Sequence, residues 1–272
     1  MCTIVAWHRV CSFAPLLVAA NRDEWYARPS SAPEILGHGS GGPFVGGRDL
    51  EHGGTWLGVT ASGFFVALAN QHGEQHRPRA PRSRGSLVVH LLEAGDVARA
   101  RAALESVDAT QFASFNVLFG DASGLYVAYG RRDEARVRLE ALAPGIVVLC
   151  NDSLGSPRFP KAERARVLAE SVRDASDFSM AFPLLGALLA DHVEPPASAS
   201  QGPALPASFD PALAARLQAL CVHTPAYGTR SASALCIQEG HVERYWYADG
   251  PPCRTAWTDV TTLLHDGGDR GA

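Results

Sequence analysis

The chain has 272 residues, 46% of them hydrophobic and 19% charged, with a formal net charge of −4. That length suits one large domain or two tightly joined lobes and is enough to bury a sizeable core. The near balance of 24 basic and 28 acidic residues gives no general pull toward nucleic acid or an anionic membrane, and no apolar run reaches the roughly eighteen residues of a membrane span.

The opening segment, MCTIVAWHRV, has no basic stretch ahead of a long apolar one, so it reads as mature protein rather than signal peptide. A cytoplasmic protein with reduced thiols is therefore the expectation for the six cysteines. Thr3–Trp7 and Leu16–Ala20 are short apolar runs that predict a hairpin. Gly37–Gly54 is rich in glycine and reads as loop. Thr55–Thr60 and Phe64–Ala69, parted by Ala61-Ser62-Gly63, predict a second hairpin. The segment HRPRAPRSR at 76–84 is a Pro/Arg loop, either a solvated linker or a grip on a phosphate-bearing ligand such as a coenzyme A ester. Ser86–Ala94 and Val97–Val107 carry helical spacing. Phe115–Phe119, Tyr126–Tyr129, Val137–Leu142 and Ile146–Cys150 read as strands. Residues 161 to about 220 are mostly helical, broken by EPPASASQGPALP at 194–206, a flexible excursion. Ser233–Gln238 and Val242–Tyr247 predict a last hairpin. Hairpins and helices in separate blocks favour an α+β domain spanning 1–272, with two antiparallel sheets sandwiched between helix layers.

The chemistry starts at Cys2. A small residue after Met1 permits removal of the methionine, which puts a thiol and a free α-amine on one residue. The two titrate near pH 8.5 and pH 8 respectively, so the amine can take the thiol proton and return it to a leaving group. A small buried residue opening a strand is the competing reading of Cys2. Asn21-Arg22-Asp23-Glu24 directly follows the second predicted strand, one hairpin away. There Asp23 can bind the new α-ammonium, and Arg22 can hold an anionic group or favour the thiolate. Asn70 and Asn151 each close a strand, where side-chain amides can donate to an oxyanion or simply form turns. Arg48 and Arg230 stand in small-residue loops that let a guanidinium approach a ligand, and Trp56 can line an apolar pocket. The cysteines at 2, 11, 150, 221, 236 and 253 form no C-x-x-C pair and the histidines no H-E-x-x-H, so no zinc ribbon and no catalytic metal is expected, and the chemistry read at Cys2 requires no cofactor.

The segments MCTIVAW, AANRDEWYARP, GGRDLEHGGTWLGVTASGFFVALAN, SRGSLV, FNVLFGD, VVLCNDSLGSP and YGTRSASALCI occur in order from residue 2 to about 237. Together they resemble the NRDE family, also called the transport and Golgi organisation protein 2 family. That family is in turn similar to N-terminal-nucleophile (Ntn) hydrolases of the penicillin V acylase and bile salt hydrolase type. The resemblance implies an αββα sandwich with Cys2 as nucleophile, Asp23 beside its amine, and Asn70 and Asn151 on the oxyanion side. The arginines correspond less well. The acylases place one three residues before their aspartate, where this chain has Ala20, and their late arginine follows the serine-rich turn that Arg230 precedes. The leading expectation is a hydrolase or acyltransferase acting on an amide or thioester of a small molecule. The alternative on the same fold is a non-catalytic binding or trafficking protein, with haem or acyl-CoA/lipid as the ligands the resemblance implies. Oligomeric state is not legible.

Overall fold

The computed structural model describes residues 2–71, 80–195 and 211–265. In chain order the elements begin with strands β1 (Thr3–His8), β2 (Leu16–Trp25), β3 (Ser30–Gly39), β4 (Gly42–Asp49), β5 (Leu57–Thr60) and β6 (Phe65–Asn70). Helices α1 (Arg84–Ala94) and α2 (Val97–Ser106) follow, then β7 (Phe115–Gly120), β8 (Leu125–Gly130), β9 (Arg138–Leu142) and β10 (Gly145–Leu149). Helices α3 (Pro160–Ala169), α4 (Phe178–Leu189) and α5 (Pro211–Arg216) lead to β11 (Tyr227–Gln238), β12 (His241–Ala248) and β13 (Trp257–Asp259). One sheet runs β10-β1-β2-β11-β12-β13 and the other β3 through β9 in sequence order. All pairings between these strands are antiparallel.

Strand alternation sorts the side chains into three cores. Ile4, Ala6, Val18 and Ala20 of the first sheet pack against Val59, Phe65, Ala67 and Val127 of the second, so the sheets lie face to face. The other face of the first sheet, through Val5, Trp7, Leu17 and Ala19, packs on Ala165 of α3 and Leu185 of α4. The other face of the second, through Val66, Val117 and Phe119, packs on Leu87, Leu91 and Leu104 of α1 and α2. The result is the expected αββα sandwich, built because each period-two strand has one face for the partner sheet and one for a helix layer.

Two expectations need correction. The glycine-rich stretch 37–54 is not loop: most of it forms β3 and β4. Within β4 its glycines make room, since a Cβ on Gly47 would strike the Trp56 ring and one on Gly46 the Leu57 carbonyl, while Gly42, Gly53 and Gly54 take positive φ at the turns. The strand at 16–20 extends to Trp25 and so carries the whole Asn-Arg-Asp-Glu segment inside the sheet. The excursion at 194–206 lies outside the described residues from 196 onward, and so does the Pro/Arg loop up to residue 79.

Candidate active site

Cys2 stands half-buried at the mouth of β1. Thr3 pairs with Asn21 on one side and Ile4 with Leu149 on the other. Continuing those registers sets Cys2 beside Arg22 on β2 and beside Asn151, which follows β10. The parity of β1 puts Cys2 on the face shared with Ile4 and Ala6, toward the other sheet. There it lines a cavity of about 350 Å³ together with Arg22, Trp56, Leu68 and Asn70.

The four residues Asn21 to Glu24 alternate in the same way. Arg22 and Glu24 line the cavity. Asn21 faces the helix layer, where its Nδ2 donates to the carbonyls of Leu189 and Leu220, each at 2.8 Å. Asp23 shares that outward face. Its Oδ1 accepts from the Thr229 hydroxyl at 2.7 Å, its Oδ2 lies 3.6 Å from Nζ of Lys161, and both ion-pair side chains are fully buried. The Asp23 carboxylate and the Cys2 sulfur are therefore on opposite sides of the sheet.

Arg22 is almost entirely buried. Its guanidinium lies 4.1 Å from the centre of the Trp56 ring and donates to the Ser30 hydroxyl at 3.3 Å. Burial pulls its pKa below the ordinary value, against the neighbouring Cys2 thiol and Glu24, which favour the charged form. A stacked guanidinium at this depth stays cationic and still offers donors to an anion. Across the cavity Arg28 bonds Asp49 at 2.5 Å and Glu24 at 3.2 Å. Burial works to raise the Asp49 pKa, but Arg28 and the backbone amides of Glu51 and His52 outweigh it and hold the carboxyl below its usual range. The turn from Asp49 to Thr55 closes on α1 through Gly54, at φ +81, where a Cβ would strike Gly85. That close approach brings Arg82, Ser83 and Arg84 to the rim. Four arginines and two acids line the cavity, giving it a cationic excess.

Asn70 lines the cavity at the end of β6. Asn151 is buried, and its Nδ2 donates to the Asn70 carbonyl at 2.6 Å. The two asparagines are thus brought together, with one holding the backbone of the other. Arg48 and Arg230 are not among the residues lining the cavity. Arg48 pairs with Glu34 at 2.5 Å on the β3–β4 ribbon, both side chains well exposed. Arg230 is the extra residue of a bulge where β11 slips against β2, and its Nε is buried without a hydrogen-bond partner among the described residues. Lys161 and Thr229, which hold Asp23, are absent from the sequence expectation. The signal for Lys161 was available: it is the only lysine in the chain.

An antiparallel double sheet between helix layers, with a cavity at the start of its first strand, defines a protein of the Ntn-hydrolase fold. The chain matches the C2A mutant of conjugated bile acid hydrolase from Clostridium perfringens with a TM-score of 0.56, over 97% of this chain and 94% of that one, at 12% identity. The family is closer to hand: residues 1–247 match the pattern of Transport and Golgi organisation 2, and the chain belongs to that family. It is 30% identical over 262 residues to the Transport and Golgi organization protein 2 homolog of Bos taurus, covering 90% of this chain and 91% of that protein. It is 31% identical over 247 residues to the homolog of Homo sapiens, covering 84% of each. No helix among the described residues is long and apolar enough to cross a membrane.

Proposed function

We propose that this chain is an N-terminal-cysteine hydrolase or acyltransferase acting on the amide or thioester of a small anionic molecule. The observation that carries the reading is the convergence of Cys2, Arg22 and Asn70 on one cavity. Removal of Met1 frees the Cys2 amine, which takes the thiol proton. The thiolate attacks the substrate carbonyl carbon, a C–S bond forms, and the carbonyl electron pair moves onto oxygen. Asn70 donates to that oxyanion, and Asn151 fixes Asn70 through its carbonyl. Collapse expels the amine or thiol leaving group, which takes its proton from the Cys2 ammonium. Water or another acceptor then attacks the acyl-cysteine, gives its proton to the amine, and regenerates the thiol.

Asp23 acts on the amine rather than on the sulfur, since its carboxylate lies on the helix side of the sheet. Arg22 binds the substrate's carboxylate or phosphate, with Arg82 and Arg84 as further cationic contacts. Arg48 and Arg230 serve only a substrate that extends beyond the cavity. We assign the protein to a reducing compartment such as the cytoplasm, in which the Cys2 thiol stays available as a nucleophile.

Incubation of the native protein with acyl-thioester probes, followed by intact-mass and peptide spectrometry, tests the reading. The expected result is a chain lacking Met1 that carries one acyl group on Cys2, with no adduct in Cys2→Ser. A retained Met1, or saturable binding of acyl-CoA or haem with no acyl transfer from any probe, sinks the enzymatic reading and leaves a binding protein built on the same cavity.

A further inference from the structure

Away from the cavity, four side chains from three separate segments converge. His192 follows α4, Cys221 and His223 lie between α5 and β11, and Cys253 sits in the turn after β12. One donor atom from each lies within 4.8 Å of all the others. The Sγ atoms of Cys221 and Cys253 are 3.8 Å apart, and Nε2 of His223 is 3.6 Å from the first and 3.3 Å from the second. Zinc bonds of about 2.3 Å to sulfur and about 2.0–2.1 Å to nitrogen place the corners of a tetrahedron about 3.8 Å apart for two sulfurs and about 3.6 Å for sulfur and nitrogen. A disulfide needs its sulfurs at about 2.05 Å. The three edges among Cys221, His223 and Cys253 are therefore close to those of one face of a metal tetrahedron, and the sulfur separation is not that of a closed cystine.

The second ring supports the same assignment. Nδ1 of His192 is 3.1 Å from the Cys221 carbonyl, so its proton goes to that oxygen and Nε2 is left for a metal, the usual arrangement around a histidine ligand. His192 is exposed, and its ring can turn to complete the fourth corner. Arg254 donates to Nδ1 of His223 at 3.3 Å. Binding moves the His223 proton to Nδ1 and turns Arg254 away, while both thiols lose their protons to water.

We propose that His192, Cys221, His223 and Cys253 form a closed structural zinc site. Four protein ligands leave no open position, which separates this centre from any catalytic role for the metal. Its effect reaches the candidate active site through one residue. Val222, between two of the ligands, donates its backbone N–H to the Thr229 hydroxyl at 2.9 Å, and that hydroxyl donates to Asp23. The metal pins the end of α4, the approach to β11 and the turn after β12 around the carboxylate's helix-side pocket.

The test uses the full chain purified under reducing conditions, stripped with a chelator, and titrated with Zn²⁺ and with Co²⁺. We expect one equivalent of either metal to bind, with release of about two protons per zinc. The cobalt form should show a thiolate-to-metal charge-transfer band and the visible band of a tetrahedral ion. Zinc should raise Tm. Cys253→Ser and His192→Ala alter exposed side chains, so both should fold with an unchanged circular dichroism spectrum. Each should lose at least about 100-fold in affinity, more than an outer-shell partner usually costs, and the zinc-dependent Tm rise should vanish. Cys2→Ala should keep the cobalt bands, so failure of the hydrolase reading stays distinct from failure here. Absence of a thiolate band, wild-type affinity in Cys253→Ser, or a Cys221–Cys253 disulfide under the same reducing conditions overturns the proposal.

Discussion

Lys161, on α3, reaches down from the helix layer to Asp23, on β2, and places its Nζ 3.6 Å from Oδ2 with both side chains at zero exposure. Two opposite charges at that depth depend on each other. Removing one leaves the other charged and desolvated, a far larger cost than the net worth of the pair.

Lys161→Met should therefore destabilise the fold by on the order of 3–5 kcal/mol. The double variant with Asp23→Asn should recover a large part of that loss, because it buries no uncompensated charge. Guanidinium denaturation of the two single variants and the double variant completes the cycle. Additive losses would show that the two side chains are not coupled.

The Asn151–Asn70 contact makes a kinetic prediction. If Asn70 is the oxyanion donor, Asn70→Ala should lower kcat by about 10²–10³-fold. Asn151→Ala should act through Asn70, so the double variant should be no slower than Asn70→Ala alone. A product of the two single effects would instead mark two independent donors.

Arg22 stacks on Trp56 as a planar group, and lysine keeps the charge but neither the plane nor the fork. Arg22→Lys should raise KM for an anionic substrate about tenfold, roughly 1.4 kcal/mol, through the lost stacking and hydrogen bonding. Trp56→Leu should move KM in the same direction and less. The measurement is the split between KM and kcat: a fall in kcat alone would place Arg22 on the reacting atoms instead.

His8 ends β1 in a buried position. Burial lowers its pKa, with Arg9 adding to the effect, while the Ala143 carbonyl and Asp121 oppose it. The unfolded chain takes up this proton near pH 6.5 and the folded chain only at lower pH. Stability contributed by the neutral ring is thus complete above pH ~6.5 and is lost as pH falls through the folded value. Asp49 is also lowered, but its share persists until the pH drops below the unfolded carboxylate value of ~3.9. Urea midpoints measured between those limits should fall with pH, and His8→Gln should flatten the slope. An equal slope in the variant would assign the loss to other groups.

Much of this architecture is legible in residue order. Alternation in Thr3–Trp7 and Leu16–Ala20 marks the central hairpin, and the helical spacing after residue 84 marks α1 and α2, because local periodicity reports which face is buried. The glycines of β4 mislead for a physical reason: their lack of a Cβ serves Trp56 across the ribbon, a tertiary demand that no local window contains. The candidate site is legible as far as Cys2, Arg22 and Asn70, since strand register alone brings the first two together. The contact of Lys161 with Asp23 spans 138 positions and two layers. Arg48 and Arg230 sit in small-residue segments resembling ligand loops, yet a neighbouring glutamate holds one and a bulge displaces the other. The His192–Cys253 cluster hides similarly, its only local trace being the Cys221-Val222-His223 spacing.

The placement of residues 2 and 23 across the thickness of one sheet has a consequence for how such a protein could diversify. The side chains that line the cavity, Cys2, Arg22 and Asn70 among them, face the partner sheet, while Asp23 and the Lys161 and Thr229 side chains that hold it face the helix layer. Substitutions in one compartment leave the other's packing intact, so ligand preference could drift over a wide range with the protonation machinery held still.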